Sequence, residues 1–260
     1  MSDHRLVIMM SGGLDSYLAW HYALKEKDYK EEEIFPLWIN LGQPYARKEK
    51  EAISSFEFEV HTVDLTLLRP EFGNVPTIDN QIIPGRNLIL AAIAASFGQT
   101  IWLSALDGEM HKFMPDKTQK FLDLASELFS YVFDNRLETK VISPFTSMSK
   151  SDIVKWSLSK GVTVEQILNT STCYHTDHKA CGECSTCFKR KVALINNNIE
   201  EDYEKNPFVP ANNEYMRTTV PKMLKDYKEG RFDHYSKKRC LETFSALRKV
   251  GNTFYDLYSI

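Results

Sequence analysis

The stretch LVIMMSGGLDSYLAW, residues 6–20, decides the fold of this chain. Its first five residues are apolar without a break, which is typical of a short strand buried on both faces of a sheet. A Ser-Gly-Gly turn follows at residues 11–13, and the apolar residues at 17–24 then recur at helical spacing. The sequence therefore predicts a buried parallel strand, a glycine-rich turn and an amphipathic helix in direct succession.

The same alternation of strands and helices continues to about residue 160. Strands that alternate with helices form a parallel sheet with helices on both faces, so we expect an α/β fold with a doubly wound, mostly parallel five-stranded sheet. Residues 68–84, which contain three prolines and a glycine, predict a long irregular loop. The other predicted strands are 34–41, 58–65, 100–106 and 139–142, and the predicted helices are 46–56, 88–97, 121–133 and 152–158, the last capped by Ser149.

The turn after the first strand has the chemistry of an anion site. Gly12 and Gly13 allow backbone angles that turn N–H groups toward a phosphate, and the helix that follows adds its positive end. Ser11 and Ser16 offer hydroxyl donors, and Asp15 suits either a Mg²⁺ ligand or a helix cap. The turn lacks the Gly-Lys-Ser ending of a Walker A loop and the third glycine of a dinucleotide fingerprint, which excludes kinase-like and dehydrogenase classes. The alternative is an ordinary strand-to-helix turn.

Four of the five cysteines crowd into one segment, with the spacing Cys173-x7-Cys181-x2-Cys184-x2-Cys187. In a chain of this size without secretory features, such a cluster indicates a metal site rather than disulfides. Two-residue gaps let neighbouring thiolates face one ion, and the seven-residue loop lets the first cysteine complete a tetrahedron, which suits Zn²⁺. An iron–sulfur cluster, which also takes four thiolates, is an alternative to Zn²⁺ at this site. His175 and His178 are alternative metal ligands.

The bulk composition limits the classes of partner. With 260 residues, of which 43% are hydrophobic, the chain can form one large domain with a small appendage. The net charge of -3 does not call for nucleic acid or an acidic membrane as partner. No apolar stretch approaches the length of a membrane span and no signal peptide is recognisable, so we expect a cytoplasmic protein.

Residues 11–16 resemble the signature of the PP-loop ATP pyrophosphatases, in the adenine-nucleotide alpha hydrolase-like (HUP) superfamily. Together with the four cysteines, the chain looks like a member of the 7-cyano-7-deazaguanine synthase (QueC) family over about residues 5–198. The strings that carry this resemblance are residues 11–16, Leu41-Gly42-Gln43, Pro84-Gly85-Arg86-Asn87, Pro144 with Ser149-Lys150, Thr172-Cys173-Tyr174, and Cys181-Gly182-Glu183-Cys184-Ser185-Thr186-Cys187 with Arg190.

The resemblance implies an ATP-dependent C–N ligase that turns 7-carboxy-7-deazaguanine and ammonia into 7-cyano-7-deazaguanine through an adenylated carboxylate. It implies ATP, Mg²⁺ and Zn²⁺ as cofactors and a homodimer as the assembly. The implied catalytic residues are Asp15, Lys150 and Arg86, although either cation is alternatively a solvated surface group. The implied ATP site is Met10, Ser11, Gly12, Gly13, Leu14, Asp15, Ser16, Gly42, Gln43 and Asn87, the implied substrate contacts are Asp107 and Asp116, and the implied metal ligands are Cys173, Cys181, Cys184 and Cys187.

One segment departs from the family pattern. The stretch Met114-Pro115-Asp116-Lys117-Thr118 keeps Pro-Asp but lacks the aromatic residue, the cysteine and the arginine that the family usually has there. An alternative is therefore a related adenylating enzyme that joins a deazapurine to another acceptor, such as a protein end. A zinc-dependent nucleic-acid-binding module is a further alternative, but the cysteine segment lacks the aromatic and basic residues typical of such modules.

We expect three parts in the chain. Residues 1–160 form the PP-loop nucleotide-binding α/β domain, and residues 161–205 form a helical segment that carries the four-cysteine zinc site. Residues 206–260 begin with two prolines and are richer in lysine and arginine, which predicts a helical C-terminal extension.

Overall fold

A computed structural model of the chain describes residues 6–43, 45–66, 85–107, 109, 115–133, 138–175 and 179–251. Within these residues five strands form one sheet, in which every pair of neighbours is parallel. The strand order is β3-β2-β1-β4-β5. This confirms the predicted α/β fold with a five-stranded, doubly wound sheet. The strands are β1 (Leu6–Met9), β2 (Ile34–Asn40), β3 (His61–Asp64), β4 (Thr100–Trp102) and β5 (Lys140–Ile142).

The central strand β1 is the apolar run that opens the chain. Leu6, Val7 and Ile8 have no exposed surface, as expected for a strand covered on both faces. Leu6 pairs with Ile34 of β2 on one side and with Thr100 of β4 on the other. Because β1 and β4 are neighbours in the sheet but not in sequence, the winding reverses between them. In doubly wound folds ligands bind beyond the carboxyl ends of the strands at this switch point, which is where the glycine-rich turn begins.

Among the described residues, four α-helices belong to the same compact unit, which lies within residues 1–105, 114–146 and 169–171 and is called the sheet unit below. The second of them ends earlier than the predicted residue 56, and just past its end the Ser54 and Ser55 hydroxyls donate to the Lys50 and Ala52 carbonyls. The strand predicted at 100–106 is shorter and ends at Trp102, although the Leu103 N–H still donates to the Ile142 carbonyl at 2.9 Å. The predicted loop at 68–84 lies outside the described residues. The helices are α1 (Leu14–Glu26), α2 (Ala46–Ile53), α3 (Arg86–Ala94) and α4 (Gln119–Phe133).

The second compact unit, called the cysteine unit below, lies within residues 106–113, 147–168 and 172–260. Its apolar core brings Phe188 together with residues of the C-terminal extension, among them Phe208, Met216 and Leu247. The predicted cap is confirmed, since the Ser149 hydroxyl accepts from the Asp152 N–H. Its helices are α5 (Lys150–Ser159), α6 (Val164–Leu168), α7 (Ser185–Asn196), a π-helical turn (Tyr215–Thr219), α8 (Val220–Lys228) and α9 (Lys237–Lys249).

No helix in the part of the chain that the structure describes combines the length and the apolar character needed to cross a membrane.

Candidate functional site

Among the described residues, no side chain caps the start of α1 at the glycine-rich turn. Gly13 is the residue that caps α1, with φ -83° and ψ 162°, and it has no side chain with which to accept from the first-turn N–H groups. Asp15 lies in the first turn of the helix. The helix-cap alternative for Asp15 is therefore wrong, because Gly13 is the capping residue, and Asp15 lies within the first turn at the positive end of the helix.

The Ser16 hydroxyl stabilises the turn through hydrogen bonds to its main chain. The buried Ser16 hydroxyl donates to the Gly13 carbonyl at 3.0 Å and accepts from the Ser11 N–H at 3.2 Å. Its oxygen also lies 3.2 Å from the Ser11 Oγ. Ser16 thus shapes the turn, whereas Ser11 is exposed at its tip.

Gly12 has no room for a side chain. Its φ of +66° belongs to the left-handed region, and a Cβ built on it would lie 2.8 Å from the Glu49 carbonyl oxygen and 2.9 Å from the Ala52 Cβ. The Gly12 carbonyl accepts from the Ser171 N–H at 2.8 Å. The turn is therefore packed directly against α2.

The side chain of Glu49 organises the segment after β2. One of its carboxylate oxygens accepts from the Trp38 indole at 2.9 Å and from the Gln43 amide at 2.6 Å. The Gln43 amide oxygen in turn accepts from the Leu41 N–H at 2.9 Å. Burial raises the pKa of Glu49, although Trp38, Gln43 and the charge of Arg86 favour its ionised form. Gln43 is thus engaged on both ends of its amide by the protein.

Gly42 and the segment that opens α3 are also held by specific contacts. Gly42 has φ +75°, and its N–H donates to the Asn40 amide oxygen at 2.9 Å. Gly85 caps α3 with φ +71°, and Arg86 then donates to the Tyr45 hydroxyl at 2.7 Å. Asn87 donates to the main-chain carbonyl of Asp116 at 3.0 Å. The structure therefore brings the predicted residues Asn87 and Asp116 together within the sheet unit.

Two predicted residues, Lys150 and Asp107, belong to the cysteine unit. Lys150 is the first residue of α5 and only 6% exposed, so the alternative of a solvated surface cation is wrong for it. The N–H of Asp107 donates to the Met148 carbonyl at 3.0 Å. Its carboxylate accepts from the Ser236 hydroxyl at 3.2 Å.

The four clustered cysteines converge on one point. All four are buried, and their Sγ atoms lie within 4.8 Å of one another. The separations are 3.3 Å between Cys184 and Cys187 and 3.9 Å between Cys181 and Cys187. Four thiolates around one Zn²⁺ at about 2.3 Å are about 3.8 Å apart, so the donor set fits a single tetrahedral ion. A cluster of several irons and sulfides has to fit between its thiolates and would hold them further apart.

The contacts within the cluster also shift the pKa values of its thiols. Hydrogen bonds to Cys173 and Cys184, together with burial, raise the pKa of Cys187, and burial raises the pKa of Cys181 to about 11. Hydrogen bonds from Cys184 and Cys187 lower the pKa of Cys173. Four buried thiols whose Sγ atoms lie within 4.8 Å of one another suit a cation, which replaces their protons when the thiolates bind it. The His175 main chain also bonds to Cys173, and His178 lies outside the described residues.

The C-terminal extension supports the loop between Cys181 and Cys184. Gly182 has φ +78°, and a Cβ there would lie 1.7 Å from the Lys205 carbonyl oxygen. The Asn213 amide, which has no exposed surface, donates to the carbonyls of Gly182 at 2.8 Å and Cys184 at 3.1 Å. Its oxygen accepts from the Met216 N–H at 3.1 Å. The extension therefore fixes the main chain that carries two of the four thiols.

Buried Arg190 is also structural. It donates to both Glu201 carboxylate oxygens at 2.8 and 2.9 Å and to the Ile167 carbonyl at 3.0 Å. The Tyr203 hydroxyl bonds to the same carboxylate. This side chain therefore ties α7 to the segments before and after it.

These features define a class, namely doubly wound α/β proteins with a glycine-rich turn at the switch point and four converging cysteines that could hold a metal ion. The sequence model of the family described as "Queuosine biosynthesis protein QueC" matches residues 5–198. The chain belongs to the QueC family.

Proteins of known function resemble the chain over most of its length. The 7-cyano-7-deazaguanine synthase of Acetivibrio thermocellus is 27% identical over 209 residues, which cover 72% of this chain and 90% of the relative. That of Prochlorococcus marinus is 29% identical over 220 residues, 74% of this chain and 94% of the relative. That of Methanococcus aeolicus is 28% identical over 236 residues, 77% of this chain and 98% of the relative. The family match leaves residues 199–260 uncovered.

Proposed function

We propose that this chain is a 7-cyano-7-deazaguanine synthase, a ligase that uses ATP and ammonia to convert 7-carboxy-7-deazaguanine into the corresponding nitrile. The observation that carries the proposal is the combination, in a QueC-family chain, of a helix start without a side-chain cap behind Gly12-Gly13 with four converging thiols. The printed names of the relatives support the same reaction.

The reaction needs two activations. A carboxylate cannot lose oxide to ammonia, so its oxygen first attacks the α-phosphorus of ATP and pyrophosphate departs. Ammonia then displaces AMP and gives the amide. The amide oxygen attacks a second ATP, and loss of AMP and a proton from the product leaves the nitrile. Positioning and charge stabilisation account for most of such catalysis.

The site residues take separate roles in this proposal. The turn from Met10 to Ser16, with Leu14, presents N–H groups and the helix start to the phosphates of ATP, and Gly42, Gln43 and Asn87 complete the nucleotide contacts. Asp15 would hold Mg²⁺, which neutralises the departing pyrophosphate. Arg86 and Lys150 hold phosphate or carboxylate charge. Asp107 and Asp116 accept from the N–H groups of the guanine-like edge.

The four thiols would hold Zn²⁺ with a structural role, because all four positions of the tetrahedron are then filled by protein and none is open to substrate. The proposal also includes three domains that divide at residues 160 and 205. It places the protein in the cytoplasm as a homodimer. Tight binding of nucleic acid is not part of it.

The test is an assay of the full chain with 7-carboxy-7-deazaguanine, ammonium and MgATP, followed by mass spectrometry. We expect the nitrile and AMP, with the nitrile nitrogen labelled when ¹⁵N-ammonium is supplied. An Asp15→Asn variant is expected to lose most of both products. AMP formation without any nitrile would contradict the proposal and favour another acceptor for the adenylated deazapurine.

A further inference from the structure

Helix α9 lies wholly outside residues 5–198, yet it contacts two segments of the cysteine unit that carry predicted site residues. The first is the segment of Asp107, whose carboxylate accepts from the Ser236 hydroxyl at 3.2 Å. The second is the start of α5 at Lys150, where Glu242 accepts from the Ser151 N–H at 3.1 Å and from its hydroxyl at 2.8 Å. The extension therefore reaches both segments through specific polar contacts.

The Ser236 hydroxyl uses its donor and acceptor on different partners. It donates its hydrogen to Asp107 and accepts from the Arg239 N–H at 3.1 Å, which makes it the cap of α9. The cap fixes the hydroxyl, and the hydroxyl fixes one carboxylate oxygen. The Asp107 N–H is held independently by the Met148 carbonyl. Main chain and side chain of Asp107 are thus both oriented.

The first two turns of α9 are held by contacts with other segments of the cysteine unit. Within the helix, buried Arg239 contacts Glu242 at 3.3 Å, and Lys238 donates to the Ser147 carbonyl at 2.7 Å. Asn196 of α7 donates to the main-chain carbonyl of Glu242 at 2.8 Å. Helix α9 therefore cannot shift without breaking the contacts that Lys238 and Glu242 make with other segments.

We propose that Ser236 is a positioning residue for recognition of the deazapurine, because it orients the carboxylate of Asp107. The inference rests on the proposed function. A carboxylate that accepts from two N–H groups of a guanine-like edge has to lie in the plane of that edge. The hydrogen bond from Ser236 occupies one lone pair of Asp107 Oδ2, so Oδ1 and the other lone pair of Oδ2 stay available to the ligand. The same bond restricts the rotation of the carboxylate before the ligand binds.

The test compares three substitutions at Ser236 in the full chain. Ser236→Ala removes both the hydrogen bond to Asp107 and the cap. Ser236→Asp keeps a strong cap and favourable charge at the helix start, but it sets a second carboxylate against Asp107. Ser236→Thr keeps the hydroxyl. Lys237→Ala, at the exposed neighbouring position, is the matched control.

Calorimetric binding of 7-carboxy-7-deazaguanine is the first readout and the KM for ATP is the second. We expect the Kd to rise about tenfold in Ser236→Ala and further in Ser236→Asp, with Ser236→Thr and Lys237→Ala close to the parent protein. The KM for ATP stays unchanged. In an Asp107→Asn background, Ser236→Ala has little further effect, because the two residues act together.

The outcomes separate this inference from the proposed function. If the parent protein forms the nitrile and Ser236→Asp binds the substrate as tightly as the parent does, the inference is overturned and the proposed function stands. Equal changes in the Kd for substrate and the KM for ATP also overturn it, since they indicate a general structural role. A parent protein that neither binds 7-carboxy-7-deazaguanine nor forms the nitrile overturns both.

Discussion

Gly12 of the glycine-rich turn lies against the main chain of Glu49 in α2, so closely that a Cβ at Gly12 would be 2.8 Å from the Glu49 carbonyl oxygen. Real Cβ atoms do not approach a carbonyl oxygen this closely, and neither backbone can move without moving its helix. The turn that we assign to ATP is therefore shaped by a helix about forty residues away in sequence.

Gly12→Ala is expected to displace the turn. The positive φ alone costs about 1–2 kcal/mol for a residue with a side chain, and the clash with Glu49 adds to it. We expect kcat/KM for ATP to fall about 100-fold, since small misplacements of a binding group have effects of this size. AMP release is the measurement.

Gly230→Ala is the matched control for that variant. Gly230 has nearly the same φ, +67°, but no atom within 4 Å of its ideal Cβ. It therefore carries the backbone strain without the clash. An equal loss of AMP release in both variants would show that the contact with Glu49 is irrelevant.

Glu49→Gln is expected to change the pH dependence of stability. Burial raises the pKa of Glu49 above its ordinary 4.5, so the folded chain holds more protons than the unfolded chain between 4.5 and the raised value. The free energy of unfolding contributed by Glu49 therefore falls as the pH rises through this window. Relative to the parent protein, Glu49→Gln should gain stability as the pH rises from 4.5 through the raised pKa, as measured by urea unfolding. The exposed neighbour Glu51→Gln should not show this trend.

Cys187→Ser is expected to release the metal. A serine hydroxyl is a poor ligand for the soft site that four thiolates form. We expect metal analysis of the purified variant to show almost no zinc, and the free energy of unfolding to fall by more than about 3 kcal/mol. Cys240→Ser removes an equally buried thiol outside the cluster and should keep the zinc. Zinc retained at the parent level in Cys187→Ser would contradict the four-thiolate site.

Asn213→Asp tests the support that the C-terminal extension gives to the cysteine loop. The substitution keeps the shape of the side chain but sets an acceptor against the Gly182 and Cys184 carbonyls in place of a donor. We expect a loss of about 2–4 kcal/mol in the free energy of unfolding and faster release of zinc to a chelator. The half-buried neighbour Asn212, which donates to the Asn206 carbonyl at 3.3 Å, gives the control Asn212→Asp. Indistinguishable chelator kinetics in the two variants would refute this role.

The sequence was most informative where local pattern and chemistry coincide. The apolar run, the glycine-rich turn and the alternating elements predict the sheet, and the Cys-x2-Cys-x2-Cys spacing predicts the thiol cluster. Strand and helix ends were less predictable: the side-chain bonds of Ser54 and Ser55 that accompany the early end of α2 have no periodic signal.

Residues that act through distant contacts left no local signal. Glu49 lies in a helix of ordinary charged residues, and its contact with Gly12 exists only in three dimensions. Asn213 and Ser236 reach partners far away in sequence, 129 residues away for the bond from Ser236 to Asp107. Lys150 was ambiguous for the same reason, because only packing decides whether a lysine is solvated or buried.

The central claim is that ATP activates the carboxylate oxygen before ammonia attacks. The most direct measurement uses 7-carboxy-7-deazaguanine with both carboxylate oxygens labelled with ¹⁸O, and follows the mass of AMP. If both activation steps occur, each nitrile formed is accompanied by two AMP molecules that each carry one ¹⁸O. Unlabelled AMP, or a label in phosphate instead of AMP, would contradict the account.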